Sequence, residues 1–282
     1  MKTLRAALFT LLLATGHAIA QDQDTVTGEQ YHPYLTDKWM IGIGGFWPKK
    51  DLTVSVFATN PVGINSNDNI EEDIRISEDQ ASGALLMRWR FGEKWSLQGQ
   101  YFALDTETGY TLEEDIEWED IVFKEGSFVN AGGNMDVARL FLGRSFSTGP
   151  RHEFGLGIGL HWMEFGAFIE GDVQTSEGGT DFQRGEVKAD FPLPNIGGWY
   201  YYSWHRDWML QARVDWLSVS FGDYSGGLIN GLVGIDWRPF ERVGFGLAVN
   251  SFVLDADVDM DDWRGSVEYA AYGPLLTVNF SW

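Results

Sequence analysis

The 282-residue sequence has no cysteine, so neither a disulfide framework nor a thiolate-held metal is available to it. Past its first twenty residues it has no unbroken apolar run of the eighteen or so residues that a membrane-crossing helix requires. It is also short of cations, with 20 Lys and Arg against 41 Asp and Glu and a formal net charge of −21. A chain so acidic repels phosphate backbones, which excludes nucleic acid as a partner. What is plentiful is aromatic and small: 13 Trp, 10 Tyr, 19 Phe and 34 Gly, above the usual share for a globular chain.

The first residues predict a secretory signal covering residues 1–20. Lys2 and Arg5 form a positive start, residues 6–15 a short apolar core, and Ala18-Ile19-Ala20 a cleavage pattern before Gln21. Removing that segment takes away two cations and leaves −23. An exported chain that is aromatic and Gly-rich, without cysteine or helical spans, has the composition of a bacterial outer-membrane β-barrel. The cell outer membrane is therefore the expected location.

Periodicity points the same way. In the final stretch YGPLLTVNFSW, Leu276, Val278, Phe280 and Trp282 alternate with Thr277, Asn279 and Ser281, one greasy face and one polar. The same period-two pattern predicts strands at 39–47, 83–91, 95–104, 137–146, 154–165, 195–204, 208–221, 228–237, 243–254 and 272–282. Short turns such as GEK, STGPR, His205-Arg206 and RPFER alternate with longer acidic connections, which forces antiparallel hairpins. The expected fold is an all-β, transmembrane, antiparallel up-and-down barrel of ten strands, occupying 39–282 as one domain. Eight strands would require discarding a well-formed hairpin. Twelve would require segments inside the two longest connections, among them LTVSVF and DIRIS, to reach lipid. Residues 21–38 are polar and read as a periplasmic lead-in. Trp39, Phe91, Trp95, Phe146, Phe154, Trp204, Trp208, Trp237, Phe245 and Trp282 all fall beside short turns or a chain end, where they would ring the lower rim.

Strand parity also nominates the interior. If Leu85, Leu140, Ile158, Leu160, Leu210 and Val214 face lipid, then Arg88, Arg90, Gln98, Gln100, Arg139, His161, Gln211, Arg213, Asp215, Asn230, Asp236, Asn250 and Asn279 face inward. Both signs of charge in a lumen barely wider than its side chains predict mutual ion pairs, with a conducting path as the alternative. His161 is the one histidine inside an expected strand. As a general base it would serve a membrane-embedded hydrolase, but its parity turns it away from lipid, so a structural hydrogen bond is the expectation. Gly155, Gly157 and Gly159 in GLGIG lack the spacing of a phosphate cradle and are expected to make room for large neighbours. The acidic stretch Asp255, Asp257, Asp259, Asp261 and Asp262 could attract divalent cations diffusely. It is no EF-hand, because Asp262 stands where the loop needs glycine. No catalytic residue, resident metal or cofactor is assigned.

With signal, hairpins and the TVNFSW ending together, the chain resembles the small outer-membrane β-barrel proteins of Gram-negative bacteria. GLHWMEF, FPLPN and YGPLL are loosely similar to OmpW- and OmpA-type barrels. The resemblance implies that Val278, Phe280 and Trp282 form the signal read by the barrel-assembly machinery, with Trp282 in place of the more usual Phe. It also implies outer-membrane lipid, lipopolysaccharide and periplasmic chaperones as partners. A non-enzymatic structural or interaction role through acidic surface loops is the expected function. A narrow channel for small, hydrophobic solutes is the alternative, and a lipid-A-modifying hydrolase a third.

Overall fold

Ten long antiparallel staves close on themselves in the computed structural model, which describes residues 31–58, 70–78, 81–112, 116–118, 121–174, 180–259 and 263–282. The expected signal segment lies outside the described residues. The strands are β1 (Trp39–Phe46), β2 (Lys49–Ala58), β3 (Ile70–Glu78), β4 (Ser82–Phe91), β5 (Trp95–Thr111), β6 (Ile116–Trp118), β7 (Ile121–Phe123), β8 (Phe128–Thr148), β9 (His152–Gln174), β10 (Thr180–His205), β11 (Trp208–Phe221), β12 (Tyr224–Trp237), β13 (Val243–Asp259) and β14 (Trp263–Ser281). Around the barrel the order is β1-β4-β5-β8-β9-β10-β11-β12-β13-β14, and β14 returns to β1.

The short strands β2 and β3 do not add staves. Phe46 faces Leu275 and Lys49 faces Tyr272, the register one continuous strand would give, so β2 prolongs β1. Phe46 likewise faces Ser82 and Lys50 faces Glu78, so β3 prolongs β4. The hairpin expected at LTVSVF and DIRIS is this outward extension. Closure depends on the final strand: Ile43 pairs with Val278 and Ile41 with Phe280. Trp39 N donates to Trp282 O at 2.8 Å, and Trp282 N returns a bond to Trp39 O at 3.1 Å. No sheet edge is left at this seam, as a bilayer requires.

Alternation sorts the side chains. Leu140, Ile158 and Val214 are 50, 64 and 51 % exposed, while their chain neighbours Arg139 and Asp215 are buried. A continuous apolar exterior of this kind is unfavourable in water and favourable against acyl chains. At the end with the short turns, aromatic rings gather on the outside. Trp39 stacks on Trp89 at 5.3 Å, and Trp204, Trp208, Trp237 and Phe245 follow one another at 5.7 to 6.5 Å. Rings with one polar atom settle at a membrane interface.

Two features depart from the sequence expectation. Much of the acidic sequence expected as loops is sheet. The 26 residues of β10 and 23 of β9 stay paired out to Thr180 opposite Gln174. About 9–11 residues suffice to cross a bilayer, so the outer part of this wall stands beyond it. Asp255, Asp257 and Asp259 belong to β13, opposite Glu268, Ser266 and Arg264, while Asp261 and Asp262 lie outside the described residues. Even the connection after β11 is a two-residue turn, Gly222-Asp223, in which Gly222 takes φ +60°.

The second departure is that the interior is not uniformly hydrophilic. Phe46, Phe102, Leu104, Met135, Val137, Met163, Leu228 and Phe252 point inward and form an apolar core. Stretches such as Ala84-Leu85-Leu86-Met87 are apolar on both faces, so polarity there does not mark which face is inside. Nearer the outer end, Phe123 of the small β6–β7 hairpin packs with Leu112, Val129 and Ile169.

Candidate functional site

The side chains with chemical capacity sit in the lumen, and they are layered along its axis. At the short-turn end, part of the expected lead-in enters the barrel. Pro33–Leu35 forms a 3-10 turn, capped by His32, whose Nδ1 accepts from Tyr34 N at 3.2 Å. His32 N donates to Ser203 Oγ at 2.9 Å. Tyr34 is 6 % exposed and meets the Tyr201 ring edge-on at 5.1 Å. Arg88 lies over the Tyr34 ring at 3.5 Å and donates to the carbonyls of Tyr34, at 2.6 Å, and Asp37, at 3.3 Å. Arg238 pairs with Asp37, which pins the other side of the turn. Residues 32–37 are thus a plug held by side chains from β4, β10 and the turn after β12.

Beside the plug, Glu153, which faces Tyr201 in the sheet, is the acceptor of a small buried set. Arg90 donates to it at 2.7 Å, Ser145 at 2.8 Å and Trp199 Nε1 at 3.0 Å. Glycine makes this possible. A Cβ on Gly143 or Gly155 would collide with the Trp199 indole, and one on Gly157 or Gly159 would stand 2.8 Å from Phe141. The GLGIG run therefore accommodates large neighbours in the way its spacing implied.

The centre of the lumen holds an ion pair and an amide network. Arg139 grips Asp215 through both Nε and Nη2, the latter at 2.8 Å, and neither side chain is exposed. His161 lies beside them, its Nε2 3.9 Å from Asp215. Asn230 lies 3.0 Å from Nε2, and Asn195 Oδ1 lies 3.3 Å from Nδ1. With the Asn230 amide donating, Nε2 is an acceptor and Nδ1 carries the hydrogen. Gln100 accepts from Arg213 and, at 3.3 Å, from Asn230, while its own amide donates to Asn250 at 3.3 Å. Asp236 accepts from Asn279 at 2.6 Å. Buried charges and amides are costly unless matched in this way.

The structure therefore brings Arg139, His161, Arg213 and Asp215 into one layer. Arg88 is turned to the plug, Arg90 to Glu153, and Asp236 to the seam. The mutual ion pairs expected of the lumen resolve into separate partnerships: of Arg88, Arg90, Arg139 and Arg213, Arg139 is the one paired with an aspartate among the described residues. Val278 and Phe280 on β14 and Trp282 just after it point outward, all at least 37 % exposed. Glu153 and Asn195 were missed by the sequence reading, although extending the inward parity of β9 and β10 reaches both. Tyr34 has no such signal, because residues 31–37 have no period. Among the described residues no group of three or more His, Asp or Glu could hold a metal ion.

No protein-family model matches the sequence, and a search of curated proteins finds no match. Solved structures do resemble the fold. The outer membrane protease OmpT from Escherichia coli aligns over 89 % of this chain and 98 % of its own, with a TM-score of 0.54 and 10 % identity. The Pseudomonas putida toluene transporter TodX aligns over 87 % and 90 %, at a TM-score of 0.34 and 7 % identity. Ail, the attachment invasion locus protein of Yersinia pestis, aligns over 86 % and 97 %, at 0.24 and 11 %. The fold is that of outer-membrane β-barrels, and identities this low carry nothing beyond the fold.

Proposed function

We propose that this protein is an integral outer-membrane barrel whose lumen is a scaffold, and that it acts without catalysis through the acidic sheet rising beyond the bilayer. The observation that carries this reading is the stacking of three closures on one axis: the Tyr34 plug, the Arg139–Asp215 layer and the apolar core around Phe102 and Phe252. A path for solutes would have to displace all three. The reading against catalysis is supported by His161, whose side chain is fully buried and whose two nitrogens are both engaged, leaving no lone pair turned toward a substrate.

The outer sheet offers a surface for partners. Arg184 pairs with Glu170 at 2.8 Å and Lys188 with Glu186 at 3.0 Å, so these cations are already matched within the sheet. What remains for a partner to read is the acidic excess of the chain. That favours basic protein segments or a diffuse layer of divalent cations bridging to lipopolysaccharide phosphates. On the way to the membrane, the outward row Val278, Phe280 and Trp282 is the segment we assign to the barrel-assembly machinery, with periplasmic chaperones holding the unfolded chain.

Planar-bilayer recording tests the reading. Silence from wild type is expected. A reproducible unitary conductance that changes in Arg139→Ala would replace it with the narrow-channel alternative, and turnover of an ester or of lipid A lost in His161→Ala would replace it with the hydrolase.

A further inference from the structure

Toward its outer end the barrel wall splits. β10 and β11 stop pairing at Ile196 opposite Trp216, although β10 runs outward to Thr180 and β11 to Phe221. Proline sets the stopping point. Ser203 N donates to Arg151 O, so odd-numbered residues of β10 bond β9 and even-numbered ones turn their N–H and C=O toward β11. The next two rungs would fall on Pro194 and Pro192, which have no N–H to give. From Asp190 to Phe182 the even-numbered residues regain that donor, while β9 alone holds the strand. Their backbone groups form a free sheet edge, with no strand paired to it among the described residues. At the opposite margin of the same sheet the edge of β5 is already engaged, because Lys50 donates to the Asp105 carbonyl.

Height makes this edge an aqueous surface. Trp204 marks the lower girdle, and Asp190 lies fourteen residues along β10 from it, roughly 35 Å up a barrel of strands tilted about 40°, against an apolar band about 25 Å tall. Asp190, Lys188, Glu186, Arg184 and Phe182 are all exposed, with their side chains on the outer face. Arg184 is matched by Glu170 at 2.8 Å and Lys188 by Glu186 at 3.0 Å, so neither cation repels an incoming strand. Asp190 is unmatched. It faces Glu164, which faces Asp136, a row of carboxylates across β10, β9 and β8 that no cation pairs with among the described residues. Like charges directly opposite one another are unfavourable, so the side chain that suits the next place in this row, on a strand beside β10, is Lys or Arg. At the other end Phe182 is 60 % exposed to water and suits an apolar neighbour. A second copy of the barrel cannot supply the strand. Upright copies related by a two-fold along the membrane normal would cross their tilted edges at about 80°, and an antiparallel pair would put one barrel upside down.

We propose that Phe182–Asp190 is a strand-addition site for a protein outside the cell: an extended segment pairs with it antiparallel, setting a Lys or Arg opposite Asp190 and an apolar or aromatic residue opposite Phe182. The even-numbered rungs supply the main-chain hydrogen bonds that give affinity, and the two ends fix the register. This assignment gives the partner surface proposed above its mode of binding, and it rests on that reading.

The test is fluorescence anisotropy of the full chain in lipid nanodiscs with a labelled peptide in which lysine, glutamate, lysine, glutamate and phenylalanine alternate with threonine. That order meets Asp190 through Phe182 antiparallel, with a strand-forming residue between rungs. Folding of every sample is scored by heat-modifiable gel mobility. Wild type is expected to bind the peptide and, on binding, to slow amide exchange at Arg184, Glu186, Lys188 and Asp190, the odd-numbered amides being held by β9 beforehand. N-methylation of the lysine and glutamate backbone nitrogens keeps the peptide's charges, removes its donors and should weaken binding about tenfold or more. Lys188→Pro withholds one rung of the edge and leaves the β9 ladder intact, as Pro192 and Pro194 do, and should weaken binding as much. Lys188→Ala keeps the N–H and should stay within about threefold of wild type. The assignment is overturned if wild type does not bind the peptide, if the methylated peptide binds equally well, or if folded Lys188→Pro binds as Lys188→Ala does. Equal binding of both peptides would leave a partner surface read by charge alone, whereas binding of neither would count against that reading as well.

Discussion

Removing the Asp215 carboxylate should be among the most damaging single changes to the lumen. Asp215 receives two hydrogen bonds from Arg139, and both side chains are fully shielded from solvent. Asp215→Ala leaves a guanidinium buried without its counter-ion, and breaking a buried pair from one side costs about 3–5 kcal/mol. His161, 3.9 Å away, cannot compensate, because its nitrogens are engaged by Asn195 and Asn230. Arg139→Met with Asp215→Leu removes both charges at once and should recover most of that loss, since an apolar replacement of a buried pair is often neutral or better. Urea titration of protein folded into vesicles, followed by tryptophan fluorescence, gives the three midpoints. With denaturant slopes of about 1–3 kcal/mol/M, the single variant should fall by more than about 1 M, and the double variant should lie well above it. If Asp215→Ala unfolds within about 1 kcal/mol of wild type, water reaches the guanidinium and the reasoning fails.

Three further outcomes are expected. His32, in the plug and outside the spanning strands, has its pKa lowered from 6.5 to about 4, chiefly by burial, with Arg238 and Arg88 adding to the effect and Asp37 and Asp207 opposing it. Undocked His32 takes up a proton below 6.5 and docked His32 only near 4. Docking should therefore be unaffected above that window and weaken as pH falls through it, by up to about 3 kcal/mol, measured by amide hydrogen exchange in residues 34–36 and abolished as a pH effect in His32→Gln. Gly155→Ala pushes a methyl into Trp199 and should cost about 1–3 kcal/mol in the same urea assay, whereas Gly83→Ala, whose Cβ meets nothing within 4 Å, should be near neutral. On the lipid face, Val214→Arg should cost about 2–4 kcal/mol in vesicles, since Val214 is 51 % exposed in the middle of the apolar band; no loss there would contradict the membrane reading.

What the sequence disclosed follows from where polarity and period coincide. In β8 and β9, Arg139 and His161 alternate with Leu140 and Leu160, so inside and outside were both marked and the lumenal residues were found. In β4 and at Phe46, Phe102 and Phe252 the inward residue is as apolar as the outward one, and the apolar core could not be separated from the lipid face. The acidic outer strands carry a period that their charge outweighs: Glu186, Lys188 and Asp190 alternate with Val187, Ala189 and Phe191, yet so many acids and glycines between 171 and 188 point to a solvated loop, and a sheet standing in water has no need of a strongly apolar face to break that tie. The plug was invisible for another reason. Its lodging depends on Arg88, Ser203 and Arg238, which are 54, 171 and 201 residues from their partners Tyr34, His32 and Asp37, and local pattern does not report contacts of that range.

A single introduced thiol measures the seal itself, since the chain has no cysteine of its own. Asn250→Cys places it in the buried amide network, 1 % exposed between plug and apolar core, and Glu186→Cys places it on the open outer sheet as the reactive control. With a membrane-impermeant charged methanethiosulfonate applied from either side of the folded barrel, position 186 should react and position 250 should stay protected until the protein is unfolded. Modification of native Asn250→Cys at the rate of the control would mean that water and ions traverse the lumen, and the sealed-barrel account would be wrong.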